Sequence, residues 1–334
     1  MDCEICHWNI RSIFQPGFGC IIRMWWDRVM SNSPESIMKR FRNILVVVTD
    51  TLPGDSAFEW LNCIATAAEV DGLDFLVVHE DAGVVLEPDE QAEAAKAEWI
   101  KDLGHACTGR LEGISLDLLE KTGQPLREAL HQLADGAYDL VVVPVEGRKS
   151  RILAERLARK SPVGVLMLPE PAVVPPGRVI AALDFSELTA LVIDWAEAFA
   201  TLRPGGAELV AVHVVDPTIE ARASAIREES KLQRDIRRTA EWQLQESLGG
   251  HARDAGQWSS SLIDGQLAGA ALADHLESDG DLLVVGNHGR NALTLALMGS
   301  NTADLLRSSC KPVLVVKQKN RSLGFLRQLL GMEA

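Results

Sequence analysis

The sequence predicts two tandem α/β domains, each a doubly wound open sheet of parallel strands, and three observations carry that prediction. The chain repeats itself along its 334 residues. Short apolar runs, rich in β-branched residues, alternate in each copy with segments of helical period. The runs are apolar at successive positions, which suits strands covered by helices on both faces, whereas a half-exposed sheet would alternate.

The repeat is read from spacing. ILVVVTD ends on Asp50 and VIAALD on Asp184, and 29 positions after each aspartate comes a histidine in a second run, His79 in FLVVHED and His213 in LVAVHVVD. Gly123-Gln124 and Gly265-Gln266 each begin 16 positions ahead of an aspartate opening a third run, Asp139 in DLVVVP and Asp281 in DLLVVG. Eight positions further stand Gly147 and Gly289, and the copies close on SPVGVLMLP and KPVLVVK. Repetition over this length outweighs any single short match. The boundaries that follow are a first domain over 43–170, a proline-rich linker over 171–177 and a second domain over 178–317. Residues 1–42 form an extension expected to be poorly ordered, and 318–334 a tail whose basic amphipathic piece is expected to dock on the body.

In the second copy Ser186 is placed to cap a helix carrying Leu188, Leu191, Val192 and Trp195 on one face, ending near Pro204-Gly205-Gly206. A charged helix is expected over 219–248, stopped by Gly249-Gly250, and others over 267–277 and 301–309. Strand then helix, repeated, gives the doubly wound sheet.

Composition narrows the function. With 47% hydrophobic and 24% charged residues the chain reads as a soluble globular protein. A net charge of -14 argues against nucleic acid or an anionic lipid surface as the main partner. The apolar runs fall far short of the roughly 20 residues of a membrane span. No segment has the order of a signal peptide, so a cytoplasmic address is expected. The six cysteines read as reduced thiols, with Cys63 and Cys310 in apolar contexts that suit small buried hydrophobes.

The stretch GNHGRNALTLALMGSNT, from Gly286, carries the chemistry. Gly286 follows DLLVV directly, at the carboxyl end of a strand, where open α/β sheets bind ligands. Glycine there, and again at Gly289, lets the chain turn and a ligand approach the backbone. Gly299-Ser300 precedes a helix whose unpaired N–H groups and positive dipole end favour phosphate. The parts make a backbone nest for a polyphosphate, although glycines in such places also serve plain turns and caps. Neither GxxxxGK[ST] nor GxGxxG occurs.

On these residues the second copy resembles the universal stress protein (UspA-like) family, and the whole chain its tandem, UspE-like form. Nucleotide-binding members carry glycine, two residues, glycine, nine residues, then glycine with serine or threonine, which GNHGRNALTLALMGS fits; AALDFSE, VHVVD and CKPVLVVK extend the likeness. The resemblance implies a Rossmann-like, adenine nucleotide alpha hydrolase-like fold that binds ATP, with Mg²⁺ as the phosphate counter-ion. By the same resemblance Asp184 and Val214 line the adenine pocket, Val285 and Gly286 meet the ribose, and Gly289, Gly299, Ser300 and Asn301 hold the phosphates. It further implies that the two copies pair through VGVLMLP and PVLVVK as an intrachain pseudo-dimer. Pairing of two whole chains as a homodimer stays open, and the protein partner is unidentified.

The first copy keeps Asp50, His79 and Gly147, but Pro144 stands where Gly286 does and removes a backbone donor. From Gly147 to Pro162 is 15 positions against 23 from Gly289 to Pro312, so eight residues, the Gly-Ser pair among them, are missing. One nucleotide site per chain is therefore expected. Cys3-Glu4-Ile5-Cys6-His7 matches the pattern of haem attachment, without the export such attachment requires. His288, Ser300 and Asp184 resemble a base, nucleophile and orienter, but the GxSxG elbow is absent. The expectation is a nucleotide-binding regulatory module in stress response, with no catalytic residue and no protein metal ligand assigned. A slow ATPase or phosphate hydrolase using His288 and Ser300, and a structural pseudo-dimer that binds nothing, are the rival readings.

Overall fold

The computed structural model of the chain describes residues 34–49, 51–79, 90–136, 138–215, 229–249, 258–265, 268–287 and 300–318. Ten strands form one sheet: β1 (Asn43–Val48), β2 (Gly72–His79), β3 (Leu116–Thr122), β4 (Leu140–Val145), β5 (Gly164–Pro169), β6 (Arg178–Ala182), β7 (Glu208–Val215), β8 (Trp258–Asp264), β9 (Leu282–Gly286) and β10 (Val313–Val316). Their order is β3-β2-β1-β4-β5-β10-β9-β6-β7-β8. Every neighbouring pair is parallel except β5 and β10, which run antiparallel with Leu166 opposite Leu314. The closing strands thus join the halves as the sequence predicts, and each half is a doubly wound 3-2-1-4-5 sheet.

The helices are α1 (Pro34–Met38), α2 (Asp55–Ala68), α3 (Glu90–Arg110), α4 (Pro125–Asp135), α5 (Arg148–Lys160), α6 (Thr189–Ala200), α7 (Glu229–Leu248), α8 (Ala268–Asp279) and α9 (Ser300–Ser308). Continuous apolar strands have a direct cause here. In β1, Ile44, Val46 and Val48 pack into a layer with α1, α2, α3, α6 and α7, while Leu45 and Val47 pack into the opposite layer with α4, α5, α8 and α9. Both layers run unbroken across the β5–β10 seam, since Leu166 and Leu314 share the first and Val165 and Val315 the second. A side chain on either face of a central strand is removed from water, so no position favours a polar residue. The outer strands β3 and β8 are largely exposed; the sequence reading had not picked them out.

Two aspartates latch the strand starts. Asp139 Oδ2 accepts the N–H of Arg42 and of Asn43, both at 3.0 Å, and Asp281 Oδ2 accepts those of Gly177 at 2.8 Å and Arg178 at 3.1 Å. These equivalent bonds fix the correspondence between the halves: Asn43 matches Arg178, and Asp139 matches Asp281.

Residues 34–42, read from sequence as part of a loose extension, are ordered. Ile37, Met38 and Phe41 are buried, and the Phe41 ring meets Trp195 edge-on at 4.8 Å and Phe199 at 5.8 Å, both on α6 of the second half. Three apolar side chains at spacings of one and three residues make a face that a short helix and its exit can bury. The rest of the extension, with the CxxCH stretch, lies outside the described residues, as does the tail beyond 318.

Candidate functional site

In an open sheet of this order the crevice lies at the carboxyl ends of the strands flanking the switch point. For the second half these are β6 and β9, with β7 beside β6. The register sets Ala182 against Val212 on one side and against Val285 on the other. Adjacent strands lie about 4.8 Å apart, so the three tips fall within roughly 10 Å of one another. Asp184 follows β6, Val214 is the penultimate residue of β7, and Val285 and Gly286 end β9. The sequence-derived residues are thus brought together. Ser300 and Asn301 open α9 at the same end of the sheet, and Thr302 ties that helix to the β9 tip through Oγ1–H to the Gly286 carbonyl at 3.3 Å. Gly289, Gly299 and His288 lie outside the described residues.

The turn after β6 is tightly organised. Asp184 Oδ1 accepts the Ser186 N–H at 3.0 Å, and Ser186 Oγ accepts that of Leu188 at 3.3 Å. Ser186 therefore builds the turn and does not cap the helix: α6 begins at Thr189, two residues later than the sequence predicts, and its first N–H bonds the Ser186 carbonyl at 3.1 Å. Between them Phe185 adopts φ 58°, a left-handed conformation unusual for a bulky residue. Its ring lies over that of His213, with centroids 4.3 Å apart and 31° between planes. His213 donates Nδ1–H to the Leu183 carbonyl at 2.7 Å, so this half-buried imidazole has a backbone partner. Sequence reasoning missed Phe185 and Thr302. A phenylalanine in a turn signals nothing by its spacing, and a threonine in a first helical turn is an ordinary residue.

The first half's crevice differs at each of these points. Continuing the register from the latches, Val46 corresponds to Ala181 and Phe75 to Ala211. Thr49, not Asp50, then stands in the place of Asp184, and Val77, not His79, in that of His213. The ladder ends confirm the second match: Gly123 N–H bonds the His79 carbonyl at 2.9 Å, as Gly265 N–H bonds that of Val215 at 3.1 Å. The equal 29-residue spacings were a coincidence of two offsets, and the correspondence of Asp50 with Asp184 and of His79 with His213 is corrected accordingly. Asp50 itself lies outside the described residues. His79 pairs instead with Glu120 at 3.0 Å.

Pro144 does match Gly286, each being paired two residues beyond the Leu166–Leu314 level. The deletion is smaller than the proline spacing implied. Ser161 and Ser309 are equivalent: each accepts at Oγ the N–H two residues on, at 3.1 Å, and donates to the carbonyl there. From Asp139 to Ser161 is 22 positions and from Asp281 to Ser309 is 28, so six residues are missing, not eight. As a result α5 starts directly after Gly147, and Ser150 Oγ accepts the N–H groups of Glu146 and Gly147, both at 3.2 Å.

Two carboxylates take up further donors there. Glu146, just past β4, accepts the Gly54 N–H at 2.9 Å. Glu170, just past β5, accepts at the amino end of α2 from Ser56 N–H at 3.3 Å and Ser56 Oγ–H at 2.5 Å, and Ser56 Oγ in turn accepts from Ala172 at 3.0 Å. Gly54 is closely covered: a Cβ there would lie 2.4 Å from Glu170 Cδ. An anion approaching this crevice meets carboxylates already bonded to the N–H groups it needs.

Among the described residues no three His, Cys, Asp or Glu side chains gather to hold a metal ion, and no helix is long and apolar enough to cross a membrane. Cys310 is exposed, contrary to its apolar context, because it lies in the turn between α9 and β10 with its N–H bonded to Glu277 at 2.7 Å; Cys63 is half-buried. Cys107 is the buried thiol among them, its pKa pushed up to about 12 by desolvation.

Residues 176–317 match the family model described as the universal stress protein family. A universal stress protein of Methanocaldococcus jannaschii is 26% identical over 158 residues, which cover 43% of this chain and 96% of that protein. A solved Pseudomonas aeruginosa protein of unknown function superposes with a TM-score of 0.59 at 21% identity, covering 89% of this chain and 99% of its own. A universal stress protein from Archaeoglobus fulgidus gives a TM-score of 0.59 at 18% identity, over 83% of this chain and 97% of its own. The two structures share the fold of the whole molecule, and the family match covers its second half. Residues 176–317 are thus similar to the universal stress protein family, and the likeness of the whole chain to the two solved structures is one of fold.

Proposed function

We propose that the chain is a tandem universal stress protein whose second half binds ATP with Mg²⁺ at the switch point between β6 and β9, and that it acts as a regulatory binding protein in stress response without a committed catalytic reaction. The observation that carries this is the convergence at one sheet end of Asp184, Val214, Val285, Gly286 and the amino end of α9, joined by a segment with the spacing Gly286, Gly289, Gly299-Ser300. Asp184 and Val214 bound the adenine pocket, Val285 and Gly286 face the ribose, and Gly289, Gly299, Ser300 and Asn301 hold the phosphates. Nine residues of helix present free N–H groups and a positive dipole end to the anion. Such local donors suffice in a chain of net charge -14 only if Mg²⁺ neutralises part of the triphosphate. Binding shifts the population of whichever conformer a protein partner recognises, provided ATP distinguishes the two states.

The test is thermal unfolding of the full chain with and without Mg-ATP, followed by calorimetric titration. A ligand held only by the folded state raises the midpoint, and one site per chain is expected. No shift and no heat in a folded sample would leave the non-binding pseudo-dimer as the better reading. Turnover of labelled ATP that disappears in His288→Ala would make the protein an enzyme.

A further inference from the structure

We propose that the first half governs the second half's phosphate site by clamping α9 from its far end, an inference that rests on the ATP-binding reading above. At nine residues α9 is about 13 Å long, too short to persist as an isolated helix. Its amino end is the phosphate-facing end, attached to β9 through Thr302. Its carboxyl end leaves carbonyls without intrahelical partners, and these are satisfied from the other half of the molecule. Arg151 on α5 donates Nη1–H to the carbonyl of Leu306 at 3.1 Å and to that of Ser309 at 2.6 Å. One turn along α5, the buried Glu155 accepts two bonds from Arg307, Nε–H to Oε2 at 2.9 Å and Nη2–H to Oε1 at 2.7 Å. Arg159 steadies the same carboxylate at 3.0 Å, and Arg307 also reaches Asp304 at 3.2 Å.

The geometry couples the two ends because a helix this short moves as a rod. Holding its last turn fixes the direction in which its first N–H groups point, and a guanidinium at the carboxyl end complements the dipole whose positive end faces the ligand. Apolar burial of Leu305 and Leu306 anchors one side of α9 without a directional bond, whereas a forked pair and a two-carbonyl cap also set the orientation of its last turn. The contact is reciprocal in form and unequal in consequence. Lys317, after β10, donates Nζ–H to the Ser161 carbonyl at 2.7 Å, so each half caps the end of the other's helix. Yet α5 opens directly after Gly147, with the N–H groups of Glu146 and Gly147 just ahead of it folded back onto Ser150 Oγ, and only α9 begins at a proposed ligand site. Linkage makes the effect mutual: whatever tightens the seam between the halves tightens ATP binding, and bound ATP stiffens the seam.

The experiment compares the full-length chain with Arg151→Met and Arg307→Met in two measurements. Hydrogen exchange of the amides of residues 304–309 without ligand reads the clamp, and titration with Mg-ATP reads the site. Exchange at least tenfold faster with affinity at least threefold weaker is expected for Arg151→Met, and the same directions with smaller size for Arg307→Met, which is expected to fold because its side chain is more than half exposed and Arg159 still pairs with Glu155. Should Arg151→Met fail to fold, the Arg307 variant alone decides. Unchanged exchange, or faster exchange with unchanged affinity, overturns the inference while ATP binding stands. A wild-type chain that takes no Mg-ATP overturns the reading it rests on, whatever the exchange rates show.

Discussion

The two crevices of this one sheet share a strand order and differ in what fills them. In the second half the tips of β6, β7 and β9 carry Asp184, the Phe185–His213 stack and Gly286, and α9 begins after a long segment containing Gly299. In the first, Thr49, Val77 and Pro144 stand in the matching places, six residues are absent, and Glu146 and Glu170 accept the N–H groups of Gly54 and Ser56. The anion site proposed for the second half thus lacks a counterpart in the first for two separable reasons. The chain between β4 and β5 is six residues shorter than that between β9 and β10, and the N–H groups of Gly54 and Ser56 are bonded to carboxylates of the chain itself. Restoring a glycine alone would not rebuild the site, because the competing charges remain.

The largest expected effect follows from that contrast. If Gly299 holds the phosphates as proposed, Gly299→Asp sets a carboxylate beside them, where repulsion of like charges a few ångströms apart costs several kcal/mol. Calorimetry should find Mg-ATP affinity at least ~100-fold weaker, equivalent to about 2.7 kcal/mol, with the unliganded melting midpoint unchanged. A second molecule of ATP per wild-type chain, surviving in this variant, would break the comparison by giving the first half a working site.

Much of this contrast was legible in the sequence, and the errors have physical causes. The apolar runs identified the buried central strands because both faces of β1, β4, β6 and β9 are covered. The closing runs paired as expected because an apolar edge needs cover. Counting residues between landmarks failed because the landmarks are not equivalent: the connection from β1 to β2 is one residue shorter than that from β6 to β7, and Asp50 and His79 lie one and two residues beyond the positions matching Asp184 and His213. Register resolves this because latches such as Asp139 and Asp281 mark equivalent backbone positions, and sequence distance does not. The outer strands β3 and β8 were illegible for another reason. LDLLEKT and WSSSLID bury little on either face, so they lack the apolar signal that marked the rest. The reach of Arg151 across the seam, joining residues more than 150 positions apart, has no trace in local pattern.

The second prediction tests the unequal caps. Desolvation pushes the Lys317 ammonium pKa down from 10.5 to about 7, whereas the unfolded chain keeps its proton until about 10.5. Between those values the unfolded state binds more protons, so this group makes stability rise with pH, and its destabilising effect is fully present below pH 7. Urea unfolding at pH 7, 8 and 9 should show the rise in the wild type and its loss in Lys317→Met. The window stops near 9 because the Cys107 thiol, pushed up to about 12 by burial, acts in the opposite sense above its unfolded value of 9.0. A slope retained in Lys317→Met would show that the amine is hydrated and that its bond to Ser161 is dispensable.

At the seam itself Gly164 offers a steric test. A Cβ there would fall 2.5 Å from Cζ3 and Cη2 of Trp195, itself held edge-on by Phe41. Gly164→Ala must displace an indole packed on two sides, an overpacking cost of about 1–3 kcal/mol by urea unfolding. Because Trp195 belongs to the second half and Gly164 to the first, the loss measures how far one half's core leans on the other. Stability within ~0.5 kcal/mol of the wild type, the usual range of surface changes, would mean the indole moves freely.

The smallest effect gives the cleanest comparison of the halves, because it alters chemically equivalent bonds. Asp139 and Asp281 each accept two backbone N–H groups from a neighbouring strand start. Each amide variant, Asp139→Asn or Asp281→Asn, replaces a charged acceptor with a neutral one and should cost about 1–2 kcal/mol. If the sheet unfolds as one cooperative unit, as core layers continuous across β5 and β10 require, the two variants lower a single transition by similar amounts and their double mutant adds. Were the halves independent, each variant would shift only its own step and two transitions would separate. Adding Mg-ATP then sharpens the result: in a cooperative sheet the ligand bound in the second half recovers stability lost at Asp139 as fully as that lost at Asp281.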